Sequence, residues 1–169
     1  MYQETARMNK NILLLGIVSA VTALLTACAS SGPGAGGMHY APTDKVEAVF
    51  QKKRVPDSCR VFAQLFVTMP ARYTGQDFVQ EVSAEAQSKG ADMMLIGQSR
   101  QCTTATGLNF TYYGPDREYR IREWPGWNFG FEEWEAQGEW TGIGYKEWGN
   151  GSVCYDYPIV MQVVFLRCQ

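Results

Sequence analysis

CRVFAQLFVTMPARYTGQDFVQEVSAEAQSKGADMMLIGQSRQC, residues 59–102, changes its apolar period twice. Cys59 to Met69 is a nearly continuous apolar run rich in Val and Phe. That composition suits a strand buried on both faces, ended by Pro70. From Tyr73 the pattern shifts to helical spacing, with Phe78, Val79, Val82 and Ala86 on one stripe and Gln80, Glu81, Glu85 and Gln87 outside it. Thr74 and Asp77 have the spacing of a capping box, and Gly90 stands where a helix C-terminus takes a left-handed residue. Asp92 to Cys102, with its apolar start MMLI (93–96), predicts a second strand. Strand, helix and strand with short links make a β-α-β unit with parallel strands, expected to be right-handed.

Working outward toward the C-terminus, YPIVMQVVFLRCQ (157–169) predicts another long buried strand. Asn150-Gly151 before it is a hairpin-turn signal between two strand-like runs. The expected fold class is α+β: a small mixed sheet, one main helix, and an aromatic-rich insertion over about residues 103–148. All five Trp fall between 124 and 148. Trp124, Trp127, Trp134 and Trp140 stand there with Tyr113, Arg122 and a series of Glu. Three readings of this tract compete. Its aromatics pack a subdomain onto the sheet, or they form a protein-docking surface, for which Trp, Tyr and Arg are the preferred anchors. Alternatively, the rings stack on sugars and the tract binds peptidoglycan or polysaccharide. Paired carboxylates also serve glycosidases, but nothing in the spacing selects an acid and a base.

Toward the N-terminus, Lys10 precedes the uncharged run Ile12–Leu25, too short at 14 residues to span a bilayer as a helix. A basic start, a short greasy core and a small-residue end describe a secretory signal. MNKNILLLG, from Met8, is a more usual signal opening than the stretch from Met1. Leu25-Thr26-Ala27-Cys28 resembles the lipobox of bacterial lipoproteins. The resemblance implies that Cys28 receives the lipid and becomes the first mature residue, giving 1–27 as signal peptide. Ala29, where inner-membrane lipoproteins carry Asp, implies the outer membrane, with the lipid as the membrane contact. Residues 28–44 then comprise the lipidated Cys and a Gly/Ser/Pro-rich flexible tether, and 45–169 a single envelope domain. A helix ending in Ala-x-x-x-Gly-Ala-Asp (Ala86 to Asp92) before an apolar strand is similar to a group of small envelope lipoproteins that includes the outer-membrane stress sensor of the Rcs pathway. Stress sensing is one role this resemblance implies.

Residues 28–169 carry 13 Lys and Arg against 16 Asp and Glu, which offers no electrostatic footprint for nucleic acid. The single His39 lies in the tether, no zinc spacing or nucleotide motif occurs, and no metal or cofactor is expected. No catalytic constellation stands out, so the chain is read as a non-enzyme that binds another envelope protein. Cys59, Cys102, Cys154 and Cys168 are an even set in an oxidising compartment, and disulfides are expected. If the first and last strands are antiparallel neighbours, Cys59 meets Cys168. Cys102 and Cys154 are then left to pair.

Overall fold

In the computed structural model the described residues are Met38, Tyr40–Thr103 and Ala105–Cys168. The signal, Cys28, His39 and most of the tether lie outside them.

The chain forms a mixed seven-stranded sheet with one main helix. The strands are β1 (Glu47–Val49), β2 (Arg60–Met69), β3 (Met93–Gln101), β4 (Asn109–Gly114), β5 (Tyr119–Arg120), β6 (Trp140–Thr141) and β7 (Ile159–Arg167). The helices are α1 (Gly75–Ser88) and a short α2 (Phe131–Glu135). The order is β1-β3-β7-β2-β4, with β5 also on β2 and β6 also on β3. β7 lies antiparallel between β2 and β3, so β2 and β3 are parallel to each other, with α1 connecting them. β2, β7 and the first half of β3 (residues 93–96) are largely apolar on both faces, because both faces are covered there. Residues 97–101 of β3 are instead polar and mostly only partly buried. α1 presses Phe78, Val82 and Ala86 onto Ala63, Leu65, Val67, Met94, Met161, Val163 and Phe165. The segment after β3 covers the other face with Ile121, Trp124 and Trp134.

The ends of α1 follow the sequence signals. Asp77 N–H donates to Thr74 Oγ1 at 3.2 Å, and Thr74 N–H donates to Asp77 Oδ2 at 2.7 Å, completing the capping box. At the other end Gly90 has φ 81°. Gly90 N–H donates to Gln87 O and Ala91 N–H to Ala86 O at 3.0 and 2.9 Å, closing a Schellman motif. Val79, counted in the apolar stripe, is half-buried at its margin.

A disulfide joins Cys59 to Cys168 across a sequence separation of 109, with a Cα–Cα distance of 4.0 Å. The cause is the expected one: β2 and β7 are antiparallel neighbours, and Arg60 sits opposite Arg167. The second expected bond, Cys102–Cys154, is not formed. Cys102 is buried beside Phe66, Trp134 and Val160, on the face away from α1. Cys154 is exposed and bridges Thr74 at the N-terminus of α1. The sheet separates the two side chains.

The Asn150-Gly151 hairpin is also absent. Asn150 instead starts an Asx-type turn, its Oδ1 accepting from Ser152 N–H at 2.9 Å and its carbonyl from Val153 N–H at 3.1 Å. The turn belongs to a loop laid against the start of α1, where Gly149 N–H donates to Gly75 O at 2.9 Å and Gly75 N–H to Val153 O at 3.0 Å. A Cβ on Gly75 would stand 1.9 Å from Glu147 O, so this approach requires glycine. The loop's backbone bonds go to the helix N-terminus rather than across a hairpin.

The domain begins earlier than Lys45. Tyr40 N–H donates to Lys89 O at 3.3 Å, Thr43 N–H to Gln87 O at 3.1 Å, and the Tyr40 ring packs edge-on against Phe62 at 5.1 Å. Tyr40 to Asp44, read from composition as tether, are part of the folded unit.

Candidate functional site

The segment after β3 returns to the sheet repeatedly. β4 and β5 extend it beside β2, and β6 extends it beside β3. Its aromatic side chains therefore face two ways, and the six candidates separate.

Trp124 and Trp134 are core residues, only 4% and 3% exposed. Trp124 packs with Val61, Leu95, Val164 and Leu166. Trp134 packs on Phe66 at 5.5 Å. Trp127 is half-buried, set edge-on against Trp124 at 5.1 Å, and lies over Gly97. A Cβ on Gly97 would stand 2.7 Å from the Trp127 ring, so the glycine makes room for the indole. Tyr113 is half-buried and stacks on Phe66 at 4.5 Å. Burial pushes its hydroxyl pKa up, with the charge of Glu133 adding to the effect. Polar groups lock this face as well: buried Gln64 donates from Nε2 to Phe129 O at 2.8 Å. These four aromatics do what the packing reading requires.

Arg122 lies elsewhere. It is exposed and grips Asp57 with two nitrogens, one of them Nε to Oδ1 at 2.7 Å. The pair lines an open depression of about 660 Å³ with Lys52, Lys53 and Ile121.

Trp140 is the candidate that meets solvent, at 55% exposure. It opens β6, held by β6–β3 pairing and by Ser99 Oγ donating to Thr141 O at 2.8 Å. One face of its ring is taken by Arg100, whose guanidinium carbon lies 4.3 Å from the ring centroid. The same guanidinium is 5.6 Å from Trp134, donates to Trp134 O at 2.7 Å and stands 3.9 Å from Glu135. Arg100, only 12% exposed in its side chain, fills the space between a core indole and a surface one.

Phe131 at 54% and Tyr145 at 83% are the other exposed large apolar side chains among the described residues; the sequence places Phe131 among the tract's aromatics without singling it out, and Tyr145 not at all. For Phe131 a signal existed. In Phe131-Glu132-Glu133-Trp134-Glu135 one aromatic must serve the core, and charges flank the other. For Tyr145 only its contact with Phe50, at 6.2 Å, explains its place. The candidate site is therefore the segment Phe131–Trp140 with Arg100 beneath it. Its exposed groups are two aromatic rings and the carboxylates of Glu132, Glu133, Glu135 and Glu139. This arrangement can bind by apolar contact, cation–π attraction and charge. Among the described residues no His, Cys, Asp and Glu cluster that could hold a metal, and no helix is long and apolar enough to cross a membrane.

Comparison of the chain with protein-family models, with curated proteins and with solved structures finds no significant match.

Proposed function

We propose that this chain is a lipid-anchored, non-enzymatic protein of the bacterial outer membrane whose folded domain docks another envelope protein. The anchor rests on the resemblance of Leu25-Thr26-Ala27-Cys28 to a lipobox. The observation that carries docking is the exposure of Phe131 and Trp140 within a tract whose other tryptophans are wholly or partly buried. Trp is among the residues most enriched at binding hot spots. Trp140 is braced from below by Arg100, so little side-chain freedom is lost on binding. A glycan partner would use the same ring, with one face already covered by Arg100.

Two measurements separate the parts of this reading. Cys28→Ala should abolish palmitate labelling and release the protein from the outer-membrane fraction; retention of both rejects the anchor. Co-purification from crosslinked envelopes should give one dominant protein with the parent chain. Trp140→Ala should weaken that complex by about 2 kcal/mol or more, the size of a hot spot. Retention on purified sacculi without a protein partner would instead support the glycan reading.

A further inference from the structure

We infer that the partner presents a cationic surface, and that it docks on Phe131–Trp140 at the end of the sheet remote from Tyr40. This rests on the docking reading and gives it a chemistry and a place. The stretch FEEWEAQGEW carries Glu132, Glu133, Glu135 and Glu139 and no Lys or Arg. All four carboxylates are exposed. Arg100, the cation beneath them, is already engaged with Trp134 O and Glu135. The surface therefore offers two apolar rings among four carboxylates, of which Glu135 is paired with Arg100. Lysines and arginines around an apolar recess complement it in charge, and they also suit the open aromatic faces.

The place follows from strand direction. Trp140 pairs with Arg100, near the end of β3, whereas Met93 at its start lies opposite Leu166. Seven residues of strand separate the two levels, roughly 23 Å. Tyr40, through which the chain enters from Cys28, is bonded to Lys89 and stacked under Arg167, at the Met93 level. With Cys28 as the proposed anchor, the Tyr40 end is the end of the sheet joined to the tether, and the acidic aromatic surface lies at the other. An anionic headgroup layer would in any case repel it.

The test places a photo-crosslinking amino acid at Phe131, at Trp140 and at exposed Ala84 on α1, in the full chain in its own envelope. The expected result is one protein crosslinked from 131 and 140 but not from 84, with the captured peptide carrying net positive charge. Glu132→Lys with Glu133→Lys should lower the yield tenfold or more, and Glu132→Gln with Glu133→Gln should lower it less. Circular dichroism on the purified variants establishes that both remain folded. A neutral or acidic captured peptide, or a yield indifferent to charge reversal in the folded variants, overturns the inference. Crosslinks from 84 alone overturn it while leaving docking in place; crosslinks from none of the three overturn docking too.

Discussion

Trp134 and Trp140 stand six residues apart and have opposite surroundings. Trp134 is 3% exposed against Phe66, Cys102 and Val160, while Trp140 is 55% exposed over Arg100. Trp134→Ala removes a buried indole and should cost about 3–5 kcal/mol of stability. Trp140→Ala touches no buried cavity and should stay within about 1 kcal/mol, chiefly through lost packing on the Arg100 stem. Urea denaturation of the two variants checks the split; equal losses would make Trp140 a structural residue and remove the docking anchor. Composition alone could not make this distinction. The clustering of Trp is visible in the chain, but which ring faces inward depends on where the segment rejoins the sheet. That is set by pairing of Trp140 and Thr141 with Arg100 and Ser99, some 40 residues upstream.

Among the elements, β2, α1, β3 and β7 were legible because each carries a local period strong enough to identify it. β2 and β7 read as nearly unbroken apolar runs buried on both faces, and β3 as a shorter one, residues 93–96, before a polar half. α1 reads as a stripe with a cap at each end, and both caps formed. β1, β5 and β6 are two or three residues long, too short for any period, and exist because a longer strand offers them an edge. Asn150-Gly151 misled because an Asx turn and a hairpin turn share a sequence, and packing against Gly75 chose between them. The N-terminal cap supplies a direct test. Thr74→Ala should destabilise the domain by about 1 kcal/mol. The hydrogen bonds from Thr74 hold the Asp77 carboxyl below its usual pKa, the backbone one being the stronger. A depressed pKa means that the contribution is present above pH about 4 and is lost as pH falls through the folded value. The gap between the variant and its parent should therefore narrow on acidification by the part due to the bond from the Thr74 hydroxyl to the Asp77 carboxylate. The backbone bond, which Ala keeps, titrates in both. A gap of constant size from pH 7 to pH 3 would remove the carboxylate from the account.

At the scale of the whole molecule, one covalent bond ties the start of β2 to the end of β7, closing nearly all of the folded sequence into a loop. By chain entropy alone a loop of that length stabilises by roughly 4–5 kcal/mol, comparable to the total stability of a small domain. Reduction, or Cys59→Ala with Cys168→Ala, should therefore lower the denaturation midpoint sharply. Cys154→Ala, at an exposed position, should leave it within about 0.5 kcal/mol.

The domain boundary, drawn too late from composition, gives the last test. Gly, Ser, Pro and Ala dominate residues 29–44, and their average conceals one aromatic side chain that decides where folding begins. Tyr40 packs on Phe62, lies under Arg167 and donates its hydroxyl to Glu118. Only twelve residue steps then separate it from Cys28, a span of at most about 40 Å fully extended. On the proposed lipidation of Cys28, that reach is the farthest the Tyr40 end of the sheet can stand from the anchor. A chain beginning at Met38 should fold with the stability of the mature domain. One beginning at Lys45 should be weaker by about 2 kcal/mol, the contribution of a partly buried aromatic ring and its hydrogen bonds. The difference should depend on pH in a defined direction. Burial, followed by the hydrogen bond to Glu118, raises the Tyr40 pKa to about 12 from 10. A raised pKa means that the folded state holds the proton more tightly than the unfolded one. The contribution of Tyr40 is therefore complete below pH 10 and lost as pH rises toward 12. Urea denaturation of the two chains at pH 8 and again above pH 11 measures it. The gap between them should narrow at the higher pH, and equal stability at pH 8 would return residues 40–44 to the tether.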